Sequence, residues 1–356
     1  MAQDGNQRGE ALKTAMDGGG PASTSLGPVP DDPVKETALV SIVSAKGQTL
    51  SRSASLEDLP TLLQDEQAVV WIDLTDPSPA RVDAVAEELG VHALVVEDIV
   101  ESDGRAKLEE VGDVLHIVLF ALTRDDATRL HEIDFILGRS FLLSVHPAAW
   151  DVRAAHHLRA GLGSVMERGP DALLWALSDA IVDGYFPVFD ELADAIDGLE
   201  DRTLEHADRE TLQQVLEMKR ELIRVRHVLA PGREVFNQLT TREHELIGEP
   251  QVLYFRDIYD HLVRLTDEFD NFRELTAATI ELYLSTVNND LNVIMKRLTG
   301  ATVVLAGIAA VAGVFGMSEA SSALDGREGF GFWAITLATV VIAGVVLAVL
   351  RRIGWV

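Results

Sequence analysis

The chain has 356 residues, of which 47% are hydrophobic, so it is long enough to form more than one domain with a sizeable core. It contains no cysteine, which excludes disulfides, thiolate metal sites and cysteine nucleophiles. The formal net charge of −27 argues against nucleic acid as a partner, because phosphate binding needs a basic surface, and it suits cations instead. A solvated acidic surface that serves only solubility explains the same charge.

The first half of the chain predicts a tail followed by a mixed domain. Residues 1–35 are rich in Gly, Pro and Ser, which predicts a disordered tail. Residues 36–165 hold a helix signal, SPARVDAVAEELG, with a capping Ser78, Pro79 in the first turn and a terminal Gly90. Short β-branched segments predict the strands ALVSIVSA, AVVWIDLT, VLHIVLFAL, RLHEIDFILG and SFLLSVH. Together they predict an α+β cytoplasmic domain with a mostly antiparallel sheet flanked by helices.

Helices are predicted for the rest of the chain. Residues 166–249 predict long antiparallel helices, with interruptions at Gly184 and Pro187 and again at Pro231-Gly232. Gly248-Glu249-Pro250 then opens a helix without a further proline up to Gly316, and residues 250–297 form its stalk. The stalk carries an apolar seam at spacings of four and three, typical of a packed helix, made of Ile258, Leu262, Leu265, Phe269 and Phe272.

Two apolar runs near the C-terminus predict membrane spans. Residues 298–317 and 330–350 each supply roughly 20 residues without a charge, the length that crosses a bilayer as a helix. A polar loop, 318–329, separates them, and a basic tail, 351–356, follows. Lys296-Arg297 and Arg351-Arg352 flank the runs, so the positive-inside rule predicts an inner, multi-pass membrane protein with both termini in the cytoplasm.

One face of the stalk and first span is polar, small or flexible over ten positions at alternating spacings of three and four. A helix-packing face explains the small residues, because small side chains let membrane helices approach closely. A water-lined pore built from several copies explains the amides and hydroxyls as well. The face, called the stripe below, consists of Ser285, Asn288, Asn292, Met295, Thr299, Thr302, Ala306, Ala309, Gly313 and Gly316.

The segment from Tyr254 to Met317 resembles the stalk and first membrane helix of the CorA magnesium/cobalt transporters. The segment HALVVEDIVESDGRAKLEEVGDVLHIVLFAL resembles that family's cytoplasmic domain. The resemblance implies a funnel-shaped homopentamer whose first span lines the pore. It also implies that cytoplasmic divalent ions bind between subunits and hold the pore closed, with Asp98 and Asp257 as the matching residues and Glu97 as their neighbour.

The family pattern also assigns the pore. Asn292, Met295 and Leu298 match its constriction positions, and Ala306, Ala309 and Gly313 match further pore-facing positions. The family ends this helix with Gly-Met-Asn, whereas this chain has Gly316-Met317-Ser318. A serine offers a shorter reach and one fewer hydrogen-bonding group than an asparagine at the outer mouth. The acids of the following loop, which would gather cations there, are Glu319, Asp325 and Glu328.

The expected function is therefore passive transport of divalent cations, with Mg²⁺ first and Co²⁺ or Ni²⁺ as further substrates. The cation is substrate and regulatory ligand, and no cofactor is expected. A zinc transporter similar to ZntB is an alternative, and a non-conducting, membrane-anchored metal sensor is another. An enzyme is not expected, because the histidines form no metal-spaced motif and no phosphate-binding loop is present.

Overall fold

The computed structural model describes residues 38–44, 48–51, 59–64, 68–102, 104–151, 162–316, 330–352 and 354. The predicted tail, 1–35, lies outside these ranges. So do Met317, Ser318 and the three loop acids, so the predicted outer mouth beyond residue 316 stays a prediction.

A seven-stranded mixed sheet forms the centre of the α/β domain. Its spatial order is β2-β1-β3-β7-β6-β5-β4, in which β3 and β7 are parallel and the other neighbouring pairs are antiparallel. The strands are β1 (Ala38–Ser44), β2 (Gln48–Ser51), β3 (Ala68–Thr75), β4 (Lys107–Val111), β5 (Val114–Arg124), β6 (Thr128–Leu137) and β7 (Phe141–His146). All five predicted strands are confirmed. The sequence reading missed β2 and β4, which are short edge strands without an apolar run.

Three short helices cover one face of the sheet: α1 (Leu59–Leu63), α2 (Pro79–Leu89) and α3 (Ala93–Glu101). The predicted helix is confirmed as α2, and Gly90 ends it in the left-handed conformation, with φ of 67°. Ser78 occupies the N-cap position, but its side chain makes no cap hydrogen bond, so that part of the prediction is wrong. Apolar residues of α2 and α3 pack on Ile72, Ile136 and Leu143 of the sheet and form a small core.

The opposite face is covered by longer helices, α4 (Pro170–Asp183), α5 (Tyr185–Glu205) and α6 (Arg209–Thr241). The predicted interruption at Gly184 is confirmed, since α4 ends before it and α5 begins after it. The predicted break at Pro231-Gly232 is wrong, because α6 continues through it. A proline inside a helix costs about 3 kcal/mol. Burial of Leu229 and Val235 on either side holds the helix together.

Helix α7 (Glu249–Gly316) is continuous over 68 residues, about 100 Å at 1.5 Å per residue. Its predicted apolar seam is confirmed, since Ile258, Leu262 and Leu265 are at most 1% exposed. The seam contacts helices of its own chain, α4, α5 and α6, and belongs to the main core. Beyond residue 281 the helix leaves that core, and most of its side chains become exposed.

Two described stretches are long and apolar enough to cross a membrane, Pro170–Glu205 and Glu249–Gly313. In the first, α4 and α5, 72% of the apolar window is buried, which identifies it as part of the core of the α/β domain. The apolar window of the second is only 6% buried. The last helix, α8 (Phe330–Arg352), coincides with the second predicted span and contacts α7. Its apolar side chains, such as Leu337 and Val340, are mostly exposed, as lipid contact requires.

Candidate functional site

Among the described residues, two clusters of acids and histidine lie outside the predicted membrane spans. The first, called the helix cluster, joins Asp179 on α4 to Asp257 and His261 on α7, and its ligand-capable atoms all lie within 4.8 Å of one another. Asp257 and His261 are four residues apart, one helical turn, so both project toward Asp179 from the same face. Oxygen and imidazole ligands at this separation have the geometry to hold a divalent cation.

The three residues of the helix cluster differ in their burial. Asp179 is 6% exposed, Asp257 is exposed and His261 is intermediate. The Nδ1 atom of His261 is buried and has no hydrogen-bond partner among the described residues. The ring of Phe186 packs edge-on against the imidazole of His261, with ring centroids 5.6 Å apart, and this contact limits the orientation of the imidazole. The cluster therefore has one open carboxylate at the surface and two ligands behind it.

The second group, called the sheet cluster, joins Asp98 on α3 to Glu109 on β4 and His116 on β5, again with ligand-capable atoms within 4.8 Å of one another. Lys107 lies among them: its Nζ atom is 2.6 Å from Asp98 Oδ2 and 3.7 Å from Glu109 Oε2. The ammonium group thus offsets part of the negative charge of these two carboxylates.

The predicted sensing residues fall in different places within one chain. Asp98 belongs to the sheet cluster, whereas Asp257 belongs to the helix cluster. Glu97 is exposed and belongs to neither of the two clusters that the described residues form. A single chain therefore does not bring Asp98 and Asp257 together, and their pairing between neighbouring subunits stays a prediction.

Sequence reasoning missed Asp179, His261, Glu109 and His116. For His261 a signal was present, because an acid and a histidine four residues apart on a predicted helix share one face. Glu109 and His116 are directly opposite each other across β4 and β5, which needs the register of a hairpin whose first strand was not predicted. Asp179 gives no local signal, since it reaches Asp257 only through the packing of α4 on α7.

The stripe lies along one face of the uninterrupted helix α7. Its described members from Ser285 to Gly313 are exposed in the single chain, and so are Val303 and Leu305 on other faces. Exposure alone therefore does not separate a pore face from a lipid face. The hydroxyl of Thr302 donates to the carbonyl of Leu298 at 2.8 Å, which leaves its oxygen lone pairs directed to its surroundings. The exposed residues also predicted to line a pore are Asn288, Asn292, Met295, Leu298, Thr299, Ala306 and Ala309.

A cavity of about 410 Å³ lies between α2, α3 and the end of the sheet, lined in part by His131 and His146. His146 Nε2 is 3.1 Å from Asp73 Oδ1, and Nδ1 is 3.0 Å from the Pro147 carbonyl. Burial lowers the pKa of His146, but the hydrogen bond and charge of Asp73 with the Pro147 carbonyl outweigh it, so the pKa is raised. Both ring nitrogens face acceptors, which favours the imidazolium.

His131 shows the opposite behaviour in the same cavity. Burial, with the charge of Arg129, lowers the pKa of His131, whose Nε2 lies 2.8 Å from Thr123 Oγ1. The pKa values of the two histidines are thus shifted in opposite directions by their surroundings. We assign this cavity to the stability of the domain, because Asp73 and Ser144 tie His146 into a hydrogen-bond network between β3 and β7.

Comparison with known proteins identifies the class. The family model described as "CorA-like Mg2+ transporter protein" matches residues 66–352. The cobalt/magnesium transport protein CorA of Thermotoga maritima is 34% identical over 263 residues, which cover 72% of this chain and 74% of that protein. The cobalt/magnesium transport protein CorA of Methanocaldococcus jannaschii is 24% identical over 297 residues, covering 82% and 93% of the two chains.

Solved structures agree in fold. The complete structure of the CorA magnesium transporter from Methanocaldococcus jannaschii has a TM-score of 0.69 at 23% identity, covering 90% of this chain and 98% of that chain. The ZntB cytoplasmic domain from Vibrio parahaemolyticus has a TM-score of 0.51 at 15% identity, covering 62% and 88%. The domain, the long helix and the apolar C-terminal helices thus define a membrane transport protein for metal ions. Within that class, the chain belongs to the CorA family.

Proposed function

We propose that the protein is a passive channel for divalent cations, with Mg²⁺ as its main substrate and Co²⁺ and Ni²⁺ as further substrates. Membership of the CorA family supports divalent-cation transport, and relatives from two organisms are named cobalt/magnesium transport proteins. One observation carries the mechanism. Helix α7 is continuous from Asp257 and His261 to the stripe, so a cation held at one end acts on the same rigid element that would line the pore.

The stripe supplies the conduction path when several copies, five in the family pattern, place it around a common axis. No Asp, Glu or His lies between Leu298 and Gly316, so a cation would not be bound there through dehydrated carboxylates. Amide, hydroxyl and carbonyl groups instead contact the water shell of the ion, which Mg²⁺ gives up reluctantly. The membrane potential drives uptake with about 2.3 kcal/mol per charge for each 100 mV.

Cytoplasmic cations close the channel in this proposal. Asp98 of one subunit and the helix cluster of its neighbour form the sensing site, with Glu97 close by. Facing carboxylates repel one another unless a divalent ion bridges them, so occupancy stabilises the subunit interface and loss of the ion releases it. The exposure of Asp257 on α7 supports this role, because a bridging ligand has to be reachable by the neighbouring subunit.

A flux assay tests the proposal directly. Purified full-length protein in proteoliposomes is supplied with Mg²⁺, Zn²⁺, Co²⁺ or Ni²⁺, and the wild type is compared with Ser318→Asn. We expect Mg²⁺ influx in the wild type and stronger Mg²⁺ influx or affinity in the variant, because an asparagine ring at the mouth offers more hydrogen-bonding groups. Zinc flux without magnesium flux would identify a zinc transporter instead.

The sensing site has its own test in the same assay. With Mg²⁺ present on the cytoplasmic side, Asp257→Asn is expected to keep conducting under conditions that close the wild type. Asp260→Asn is the matched control, since this acid lies on the same exposed stretch of α7 outside the helix cluster. If Asp257→Asn changed the conformation and no ion crossed the membrane in any variant, the protein would be a metal sensor.

A further inference from the structure

The sheet cluster has a feature that an ordinary acidic surface lacks, a buried histidine with a vacant ring nitrogen. His116 is fully buried on β5, and its Nε2 atom lies 2.8 Å from Asp134 Oδ1. Asp134 is itself 4% exposed. Because a carboxylate accepts hydrogen bonds, this contact places the imidazole proton on Nε2. Nδ1 keeps its lone pair, and it has no hydrogen-bond partner among the described residues.

This arrangement is the one that metal-binding histidines adopt. In such a histidine, the ring nitrogen that does not bind the metal almost always donates its N–H to a carboxylate, a backbone carbonyl or a water. This hydrogen bond fixes the tautomer and makes the metal-binding nitrogen a stronger ligand. A buried acceptor without a donor also costs free energy, which binding of a cation would recover. Carboxylate oxygens lie near this imidazole, because Glu109 is directly opposite His116 across β4 and β5 and Asp98 of α3 completes the cluster, with one ligand-capable atom of each residue within 4.8 Å of the others.

Lys107 occupies the cluster when no metal is bound. Its ammonium is 2.6 Å from Asp98 Oδ2, and its side chain is only 17% exposed. A divalent ion that bound the same oxygens would have to displace this charge, because cations at such short range repel each other strongly. The long, flexible stem of a lysine makes this displacement feasible without movement of the strand. Lys107 is therefore placed to act as a built-in competitor that sets the affinity of the site.

We propose that Asp98, Glu109 and His116 of a single chain form a binding site for a transition-metal dication, Co²⁺, Ni²⁺ or Zn²⁺, in competition with Lys107. The imidazole nitrogen sets the preference, because it suits these ions, whereas Mg²⁺ takes oxygen ligands. The site shares Asp98 with the intersubunit sensing site of the proposed function, but its other two ligands, Glu109 and His116, belong to the same chain as Asp98 and to no part of that sensing site. It does not depend on whether the protein conducts ions, so it is tested by binding and not by flux.

The experiment measures Co²⁺ binding to the purified, chelator-treated, full-length protein by equilibrium dialysis and by the visible d–d absorption of the bound ion. An Asp257→Asn, His261→Gln background removes the intersubunit partner of Asp98 and the imidazole of the helix cluster, and excess Mg²⁺ then saturates the remaining oxygen-only sites. Under these conditions we expect one Co²⁺ per chain. The proposal would be overturned if Mg²⁺ abolished the binding of Co²⁺, or if no Co²⁺ bound at all. The cluster would then consist only of a buried His–Asp pair beside a salt bridge.

Two substitutions at partly exposed positions give opposite expectations. Removal of the competing ammonium in Lys107→Met is expected to tighten Co²⁺ binding about tenfold or more, and loss of a charged ligand in Glu109→Gln to weaken it about tenfold or more. Glu110→Gln is the matched control, because successive residues of a strand point to opposite faces of the sheet. Equal affinities in all three variants would also overturn the proposal.

A third variant tests the nitrogen ligand itself. His116→Phe alone would leave Asp134 buried without its partner, so it is combined with Asp134→Leu, which replaces both polar groups by apolar ones. We expect this double variant to lose its preference for Co²⁺ over Mg²⁺ and the absorption bands of a nitrogen-bound cobalt. Cobalt bands unchanged in the folded double variant would exclude His116 as a ligand. Failure of the flux assay would leave all of these results standing.

Discussion

The two halves of helix α7 have opposite environments. In the first half, Phe255 and Ile258 are completely buried against helices of the same chain. In the second half, Leu291, Leu298 and Leu305 are between 53% and 66% exposed. The backbone geometry is the same throughout, so the difference lies in what covers the side chains.

This contrast shows which part of the molecule is complete within one chain. The first half packs its apolar side chains against helices of its own chain, as an independently folding domain does. A continuous apolar surface on the second half requires an external partner, since soluble monomers rarely expose large apolar patches. Lipid covers such a surface in a membrane protein, and further copies of the chain would cover the stripe.

The largest expected effect is the removal of a buried aromatic side chain from the first half of α7. Phe255 is 0% exposed and packs against Phe236 of α6, with ring centroids 6.2 Å apart. Phe255→Ala is expected to lower the free energy of unfolding by about 3–5 kcal/mol, through lost burial and the cavity left behind. Denaturant titration of the detergent-solubilised protein, followed by tryptophan fluorescence, measures the change.

The control for this prediction lies two residues away on the same helix. Leu253 is 65% exposed, so Leu253→Ala is expected to change the free energy of unfolding by less than about 0.5 kcal/mol. If both variants lost similar stability, the first half of α7 would not be held by its own chain in the way the burial indicates.

A second prediction concerns the polar contacts of the same domain. The buried Glu221 on α6 accepts hydrogen bonds from the Thr128 backbone N–H at 2.7 Å and from Arg124 Nε at 3.2 Å, which joins α6 to β5 and β6. Glu221→Gln removes the charge that these donors face, and we expect a loss of about 1.5–3 kcal/mol in the free energy of unfolding. Urea denaturation provides the measurement.

The matched control is Glu217→Gln, one turn earlier on α6. Glu217 is exposed, and it accepts a hydrogen bond from Gln213 of the preceding turn at 2.9 Å. A pair of this kind contributes a few tenths of a kcal/mol. A loss as large in Glu217→Gln as in Glu221→Gln would contradict the role of the buried network.

The amino-acid sequence predicted well those elements whose signal is local. The apolar seam from Ile258 to Phe272 repeats at helical spacing, and the strand segments are rich in β-branched residues, so both were found. The continuity of α6 through Pro231 was not predicted, because proline is a local helix breaker and only the buried residues around it outweigh its cost.

The candidate metal clusters needed information that spacing does not contain. Asp179 meets Asp257 only because α4 packs against α7, and these residues are far apart in the chain. In the sequence, His116 is an isolated histidine within a strand. Only the strand register and the tertiary contacts place Glu109 opposite it and Asp134 beside it. Residues that share one helix face can be predicted from their spacing in the sequence. Sites assembled from several elements cannot, because they depend on tertiary packing.

The third prediction tests what covers the second half of α7. Ala309 belongs to the stripe, whereas Ala310 is turned about 100° away around the helix. Ala309→Phe is expected to reduce Mg²⁺ influx into proteoliposomes at least about tenfold, an effect of about 1.4 kcal/mol, because a large ring narrows a pore. Ala310→Phe makes the same chemical change outside the stripe and is expected to retain most of the flux. Equal losses would favour a helix-packing face over a pore.

The smallest expected effect is a pH dependence confined to the α/β domain. The pKa of His146 is raised from its usual value of 6.5, so the folded state binds a proton more tightly than the unfolded state. The resulting stabilisation is fully present below pH 6.5 and is lost as the pH rises through the folded-state pKa. Thermal unfolding of the wild type should therefore show this contribution at pH 6 and lose it toward pH 8.5.

Two substitutions separate His146 from the other histidine of its cavity. The protonated form of His146 stabilises the folded state. The loss of stability in His146→Gln relative to the wild type should therefore be larger at pH 6 than at pH 8.5. The pKa of His131 is lowered, so His131 destabilises the folded state as the pH falls, and His131→Gln should relatively gain stability at pH 6. Because both residues lie in the sheet of the α/β domain, neither substitution should change the ion preference of a pore built by the second half of α7. A shifted ion preference would show that the two regions are coupled more tightly than their separate environments indicate.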